Sequence, residues 1–531
     1  MTISSTSNSA GAATLADEQL PEAGETAPLL GHDTPPPLQQ KSSRPSPFTR
    51  PVSVVTILVY VVYFVALELS QSLPGNAFHQ VVEENLCRDM HGRADAEFCG
   101  ADNDVQSALA VLFAWHGTVQ LLPGLLTAIP YALLADRYGQ KPFIIINAFG
   151  VALAAAGDRF ICYWPQTFSV YSLWAAPLLS FVGGGLQVCN ALLFSNVTGL
   201  TTDASRCAQY SDNVFYSAMI ALADRFNSPS VISVLVTLAY GPRLIATMAS
   251  SKMIQLYGPW LLLWLSLGSA VLAFFSAFFL LEPTQRPRSS ADAIASGSTA
   301  GPLADDDDQY FSKGGLKARI LKSYQETMAG FSYLLKQCDL RVFKLAICLL
   351  VMTLAWQSNG LSSQIMRKRF GWTWANLSYL TALEVAFSII SSMVLFPAAS
   401  YIMSIKFSMA TERRDMILAR LCGLLFLIGS ILVISAFTST IMIFGVVIWT
   451  LGSMYNLILR NLLVLAVGEN SVVLFSCVNT VETIGNLAIA PIIAHLFKLG
   501  LHFGGVWVTM PVMIGSGFSV LALLILGLRG S

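Results

Sequence analysis

The sequence is dominated by a succession of apolar segments, each long enough to cross a lipid bilayer as a helix. Such a helix needs about 20 mostly apolar residues to span a hydrocarbon core about 30 Å thick. Of the 531 residues, 54% are hydrophobic and only 12% are charged, whereas a soluble domain has about 25% charged residues. We therefore predict an all-α integral membrane protein. The formal net charge is zero, so nothing in the composition indicates a nucleic-acid partner.

The apolar segments fall into two groups of six, and we predict twelve transmembrane helices in two halves. An N-terminal half (51–281) and a C-terminal half (340–531) are joined by a polar cytosolic linker (282–339) and preceded by a polar tail (1–50). Within the halves, Gly75–Asp104 is predicted to be a loop, and 210–230 is too polar to span lipid. The predicted spans are Val52–Leu73, Val105–Leu134, Phe143–Tyr163, Val170–Asn196, Val231–Met253, Pro259–Leu281, Leu340–Ile365, Ala375–Ser400, Met416–Phe437, Ile441–Val467, Val472–Phe497 and Val506–Leu528.

Lys and Arg residues between the spans predict the orientation in the membrane. Cytosolic loops carry an excess of these residues, and the basic residues before the first span, after the second and in the linker fall on one side if both termini are cytosolic. The chief exceptions are Arg367, Lys368 and Arg369, which follow the seventh span. We expect both termini to be cytosolic.

The segment Leu134–Lys141 between the second and third spans is a short charged turn between two helices. Gly139 permits a tight turn between two helices, and Asp136 stands beside Arg137 and Lys141, so it can form and break charge-assisted bonds as the helices move. An ordinary basic cytosolic loop is the alternative.

The same segment resembles the signature G-x-L-A-D-R-x-G-R-K of the major facilitator superfamily, from which Ala132 and Gln140 depart. Leu86-Cys87-Arg88, Pro123–Leu126, Lys368–Trp372 and Val481–Gly485 further resemble fungal transporters related to the proton-coupled folate carriers of solute carrier family 46. The resemblance implies a major facilitator fold, transport by alternating access, and a latch on the cytosolic face formed by Asp136, Arg137, Gly139 and Lys141. In that group the fifth span begins soon after the segment matching Ser205-Arg206, so 210–230 is a departure.

Ionisable residues inside predicted spans are the candidates for proton coupling or solute binding, because burying them in a membrane is costly. Glu68, Glu384 and Glu482 are carboxyls that can exchange a proton, with a hydrogen bond to a neighbouring helix as the alternative. Arg243 is a candidate counter-ion for a buried glutamate or an anionic solute. His116 is a candidate proton relay, with an inter-helix hydrogen bond as the alternative. We interpret Arg460, late in the tenth span, as a residue that extends to the cytosolic interface, with a counter-ion role like that of Arg243 as the alternative.

Two short patterns outside the spans complete the predicted sites. Cys87 and Cys99 lie in the loop on the non-cytosolic side, where a disulfide is permitted, with two free thiols as the alternative. Glu25, Leu29 and Leu30 in the tail form an acidic dileucine pattern that would bind a sorting adaptor and direct the protein to a vacuolar or endosomal membrane, with the plasma membrane as the alternative.

These features predict a secondary transporter of a small organic solute rather than an enzyme, and the buried carboxyls favour proton coupling. A nutrient sensor on the same fold is the alternative. No cofactor, metal or nucleic acid is expected. We expect a monomer whose partners are the solute and the lipid bilayer.

Overall fold

The computed structural model describes residues 54–189, 192, 229–280, 340–406, 408–467 and 471–527. The predicted tail, the linker 282–339 and nearly all of 210–230 lie outside these ranges. Within them, every regular element is a helix, which agrees with the predicted fold class. Eleven helices in these ranges are long and apolar enough to cross a membrane, and a further long helix, Pro229–Tyr257, stands where the fifth span is predicted.

Most of the α-helices, numbered in chain order, lie within predicted spans; the second and third do not. The first half contains α1 (Val54–Ser72), α2 (Gly75–His91), α3 (Ala96–Ala101), α4 (Asn103–Tyr138), α5 (Lys141–Tyr163), α6 (Pro229–Tyr257) and α7 (Pro259–Ala277). The second half contains α8 (Leu340–Ser358), α9 (Ser362–Phe370), α10 (Trp374–Ile390), α11 (Phe396–Ile405), α12 (Thr411–Ile434), α13 (Ser439–Leu451), α14 (Tyr455–Val467), α15 (Ser471–Phe503) and α16 (Met510–Gly527).

The prediction of a loop over Gly75–Asp104 is wrong, because most of this segment is helical. Pro74 occupies the N-cap of α2, where a proline removes no intrahelical hydrogen bond, so α2 follows α1 almost without a break. One face of α2 is buried, including Ala77, Val81 and Leu86. The polar residues on that face are therefore enclosed by protein and do not face solvent.

Several predicted spans are interrupted within the bundle. The fourth is formed in part by two 3₁₀ segments, Val170–Trp174 and Ala176–Val182. Short 3₁₀ or π turns also separate α8 from α9, α10 from α11 and α13 from α14 (Asn359–Leu361, Ser391–Leu395 and Gly452–Met454). Such non-α turns within helices often mark functional positions.

Buried apolar residues form two main clusters. One cluster joins the second half to the end of the first half near the Cys87–Cys99 disulfide, and includes Leu86, Leu109, Met366 and Trp374. The other lies within the first half at its opposite end, and includes Tyr63, Ala135 and Ala277 among its members. We call the end of the bundle with the disulfide the disulfide face, and the other end the opposite face. The two halves share a core at the disulfide face.

Candidate transport site

A buried ion pair joins α14 and α15 inside the second half. Arg460 Nη2 lies 2.7 Å from Glu482 Oε2, with 15% and 5% of the two side chains exposed. Thr353 of α8 lies against the other carboxylate oxygen, its Oγ1 2.9 Å from Glu482 Oε1. The interpretation of Arg460 as an interfacial residue is wrong, because its guanidinium turns inward to the carboxylate.

Two asparagines extend this polar group along the same helix faces. Asn456 is one turn before Arg460 on α14, and Asn486 is one turn after Glu482 on α15, and residues spaced by four share a helix face. The side-chain oxygens of both are buried and have no hydrogen-bond partner among the described residues. Buried polar atoms normally have partners, so each of these two oxygens can accept a further hydrogen bond.

Arg243 and Glu384 lie on α6 and α10, two helices of different halves that pack against each other. Arg243 is exposed and Glu384 is half-buried, and the charge of the arginine acts on the carboxyl. Nearer the disulfide face, Ser251 Oγ of α6 donates to Ala375 O of α10 at 2.6 Å. The two helices are antiparallel, so Arg243 and Glu384 lie at a similar depth, about two turns from this contact.

The remaining predicted carboxyl and histidine have partners within the first half. Glu68 is half-buried, and its Oε1 accepts a hydrogen bond from Ser72 Oγ at 3.2 Å. His116 Nε2 lies 3.0 Å from Asp158 Oδ1, and both side chains are largely buried. Asp158 is absent from the sequence-based predictions, although it is an acidic residue within the third span.

The predicted gating motif forms the turn between α4 and α5. Gly139 adopts φ 89° and ψ 158° as the C-cap of α4, a backbone conformation that favours glycine, and Lys141 is the first residue of α5. The side chains of Asp136 and Arg137, and the whole sorting pattern Glu25, Leu29 and Leu30, lie outside what the structure describes. The latch therefore stays a prediction.

Cys87 and Cys99 form a disulfide with an S–S distance of 2.03 Å. Beside it lies a second buried ion pair, between Glu83 of α2 and Arg367 of α9, which the sequence analysis missed. The available signal was the run Arg367–Arg369 itself, three cations on the side of the membrane where the positive-inside rule does not expect them. In the part of the chain that the structure describes, no group of three or more His, Cys, Asp or Glu residues could hold a metal ion.

Several known proteins that are similar to this chain, in sequence or in fold, are named as transporters or efflux pumps. No protein-family model matches the chain. It is 23% identical over 425 residues to the MFS (major facilitator superfamily) efflux pump atnC of Emericella nidulans, covering 78% of this chain and 74% of that protein. It is 21% identical over 502 residues to the efflux pump ustT of Aspergillus flavus, covering 93% and 92% of the two chains.

Solved transporter structures share the fold. The POT family transporter PepTSo matches with a TM-score of 0.53 at 14% sequence identity, covering 88% of this chain and 97% of that chain. The xylose transporter XylE of E. coli, in a partially occluded inward-open conformation, matches with a TM-score of 0.50 at 10% identity, covering 89% and 98%. The relation to solute carrier family 46 stays a prediction.

Proposed function

We propose that this chain, a multi-pass membrane protein with the major facilitator fold, is a proton-coupled secondary transporter that exports a small organic solute by alternating access. The similarity to fungal transporters supports a membrane transporter. The observation that carries the proton coupling is the buried Arg460–Glu482 pair. A carboxylate in this place is stabilised by its arginine, and protonation of the carboxyl releases that arginine for another anion or a solute acceptor.

The hydrogen bonds of Thr353 suit a carboxyl that changes protonation state. Thr353 Oγ1 lies 2.9 Å from both Glu482 Oε1 and Leu349 O, but a hydroxyl group has only one hydrogen to donate. When Glu482 is ionised, Thr353 donates to it. When Glu482 is protonated, its hydroxyl donates to Thr353 Oγ1, and Thr353 donates to the Leu349 carbonyl. Both states are satisfied without movement of heavy atoms.

The same polar group supports a proposal for the chemical class of the solute. Asn456 and Asn486 offer buried amide oxygens one helical turn from Arg460 and Glu482, on helices that are otherwise mainly apolar. A solute that matches these surroundings is an organic molecule with a mainly apolar body and a few hydrogen-bonding groups. Export as the direction rests on the names of the matched relatives, which are efflux pumps.

We propose that the disulfide face is the non-cytosolic face. Disulfides persist in oxidising compartments, and the positive-inside rule independently assigns the termini to the cytosol. In the structure the halves are joined at the disulfide face, which corresponds to a conformation closed to the outside.

The test is transport by the purified protein in proteoliposomes, across a panel of organic solutes and with and without an imposed pH gradient. We expect saturable transport that the gradient stimulates, and we expect Glu482→Gln to transport without that stimulation. The control is Glu412→Gln, because Glu412 pairs with Arg341 at an exposed position. If neither the pH gradient nor Glu482→Gln changes the transport rate, proton coupling is excluded. Saturable transport of any solute would exclude the alternative that the protein is a sensor without transport activity.

A further inference from the structure

Arg367 of the second half inserts into the first half at the disulfide face. Its side chain is 4% exposed and that of Glu83 is 1% exposed. Nε lies 2.7 Å from Glu83 Oε1, and Nη2 lies 2.7 Å from Oε2, so the guanidinium and the carboxylate meet as a bidentate pair. This geometry gives the strongest charge-assisted hydrogen bonds.

The other polar atoms of both ions also have partners. Arg367 Nη2 donates to Ala96 O at 2.8 Å and Nη1 donates to Trp372 O at 2.9 Å. Glu83 accepts further hydrogen bonds from Trp374 Nε1, at 2.5 Å, and from Gln106 Nε2. A buried ion pair is costly unless such additional bonds satisfy it, and here they come from both halves.

The disulfide lies among the residues of the first half that surround this ion pair. Cys87 is one turn after Glu83 on α2, and its partner Cys99 lies in α3, whose carbonyls point to the site: Cys99 O accepts from Gln106 Nε2 at 3.0 Å. Gly100 follows, and a Cβ there would lie 2.9 Å from Arg367 Cζ. The backbone of α3 thus lies directly against the guanidinium.

Neighbouring contacts between the halves lie at the same face. Lys368 Nζ donates to Ala101 O, Asn103 Nδ2 donates to Leu501 O at 3.4 Å, and the ring of His79 stacks on Trp374 with centroids 5.0 Å apart. Among these side chains, only that of Arg367 is a fully buried cation that pairs with an anion of the other half.

We propose that Arg367 and its socket, defined as Glu83, Gln106, Trp374 and the backbone of α3, form the latch that closes the disulfide face. Opening of this face separates α9 from α2 and α3, and therefore requires water to replace the partners of both ions. The latch thus favours the closed conformation while permitting opening when the ions become hydrated. It lies at the other end of the bundle from the predicted latch at Asp136–Lys141, and it rests on the proposed function only in that a transporter must open both faces.

The test measures the distance between the halves at this face by double electron–electron resonance. Spin labels on unnatural amino acids replace Arg93, which is exposed after α2, and Phe437, which is exposed after α12, so all native cysteines stay in place. The full chain is studied in lipid nanodiscs. We expect a short, narrow distance distribution for the native latch, and an added population at longer distance in Glu83→Gln and Arg367→Gln.

Two further variants make the outcome decisive. Arg88→Gln removes an exposed arginine from the same helix α2, and we expect it to leave the distribution unchanged. Trp374→Phe keeps a buried aromatic ring but removes the N–H that donates to Glu83. We expect it to add a smaller population at longer distance. If Arg367→Gln does not yield monodisperse protein, the distance distribution of Trp374→Phe is the one that tests the proposal. Unchanged distances in the folded variants would overturn the proposal.

The readout needs neither a solute nor a proton gradient. A failure of Glu482→Gln to alter proton dependence would therefore leave the latch intact, whereas unchanged distances would reject the latch and leave proton-coupled transport standing.

Discussion

At the scale of single residues, uncharged partners support each buried ion pair of the described structure that we assign to transport. Thr353 contacts Glu482, and Gln106 and Trp374 contact Glu83. A buried ion pair without such partners would lose the hydration of both ions without replacing it. Substituting these neutral residues should therefore change how readily each ion pair ionises or separates, while both charged residues stay in the protein.

Thr353→Val tests this at the proposed transport site. Valine has nearly the shape of threonine but cannot donate to the ionised carboxylate or accept from the protonated one, and one such hydrogen bond contributes about 0.5–1.5 kcal/mol. We expect a severalfold lower transport rate and a shifted pH dependence. The matched control is Thr450→Val, because Thr450 also donates to a carbonyl one turn earlier in its helix, Val446 O at 2.7 Å, and among the described residues it contacts no ionised group. An equal loss in both variants would show that the effect is on folding.

The sequence identified single functional residues better than it identified their partners. Glu482 is recognisable because a carboxyl inside a long apolar run is rare and is usually functional. Its partner Arg460 is 22 residues away on another helix, and the pairing depends on how α14 and α15 are rotated. Glu83 was missed for a different reason: it lies in a polar run typical of a loop, and only the packing of α2 shows that the run is buried.

At the scale of elements, glycines decide how closely the helices of the second half approach. Gly429 of α12 and Gly445 of α13 face each other, and a Cβ on Gly429 would lie 2.6 Å from Gly445 O. Small residues at helix contacts allow this close backbone packing in membranes, where lipid provides little drive for association. The α12–α13 pair is therefore a rigid unit of the second half.

Gly429→Ala is expected to destabilise this unit. The added methyl meets backbone atoms of α13, which cannot rotate away, and overpacking of this kind costs about 1–3 kcal/mol. We expect a lower thermal unfolding temperature in detergent, measured by intrinsic fluorescence. Gly517→Ala on α16 is the control: a Cβ there meets nothing within 4 Å, and alanine favours a helix over glycine. An unchanged temperature for Gly429→Ala would contradict the close contact.

The elements themselves could be predicted from apolar length, and their interruptions could not. About twenty apolar residues specify a helical span, because an isolated segment in lipid satisfies its backbone only as a helix. The breaks at Asn359–Leu361 and Gly452–Met454 depend on neighbours that replace the lost hydrogen bonds, which a single sequence does not reveal. The helix α2 was missed because a proline before it suggested an end, although the N-cap is a position that proline tolerates.

At the scale of the whole molecule, the distribution of core residues indicates how the halves can move. Apolar packing is continuous across the halves at the disulfide face, while the first half has a separate core toward the opposite face. The contacts that α2, α3 and α4 make with α9, α10 and α15 at this face are among those that must break for it to open. Two six-helix halves can be predicted from the spans, but which face is closed depends on contacts between distant residues such as Glu83 and Arg367.

Joining the halves covalently at the disulfide face should therefore stop transport. Asn76 Nδ2 of α2 lies 3.3 Å from Ser378 Oγ of α10, so cysteines at these two positions can be bridged by a short bifunctional methanethiosulfonate. We expect the bridged Asn76→Cys/Ser378→Cys protein to lose transport in proteoliposomes and to regain it on mild reduction, because the disulfide face cannot open while α2 and α10 are tied. Each single-cysteine variant treated with the same reagent controls for modification alone. Full transport by a chain shown to be bridged would mean that α2 and α10 stay together throughout the cycle, and that opening occurs elsewhere.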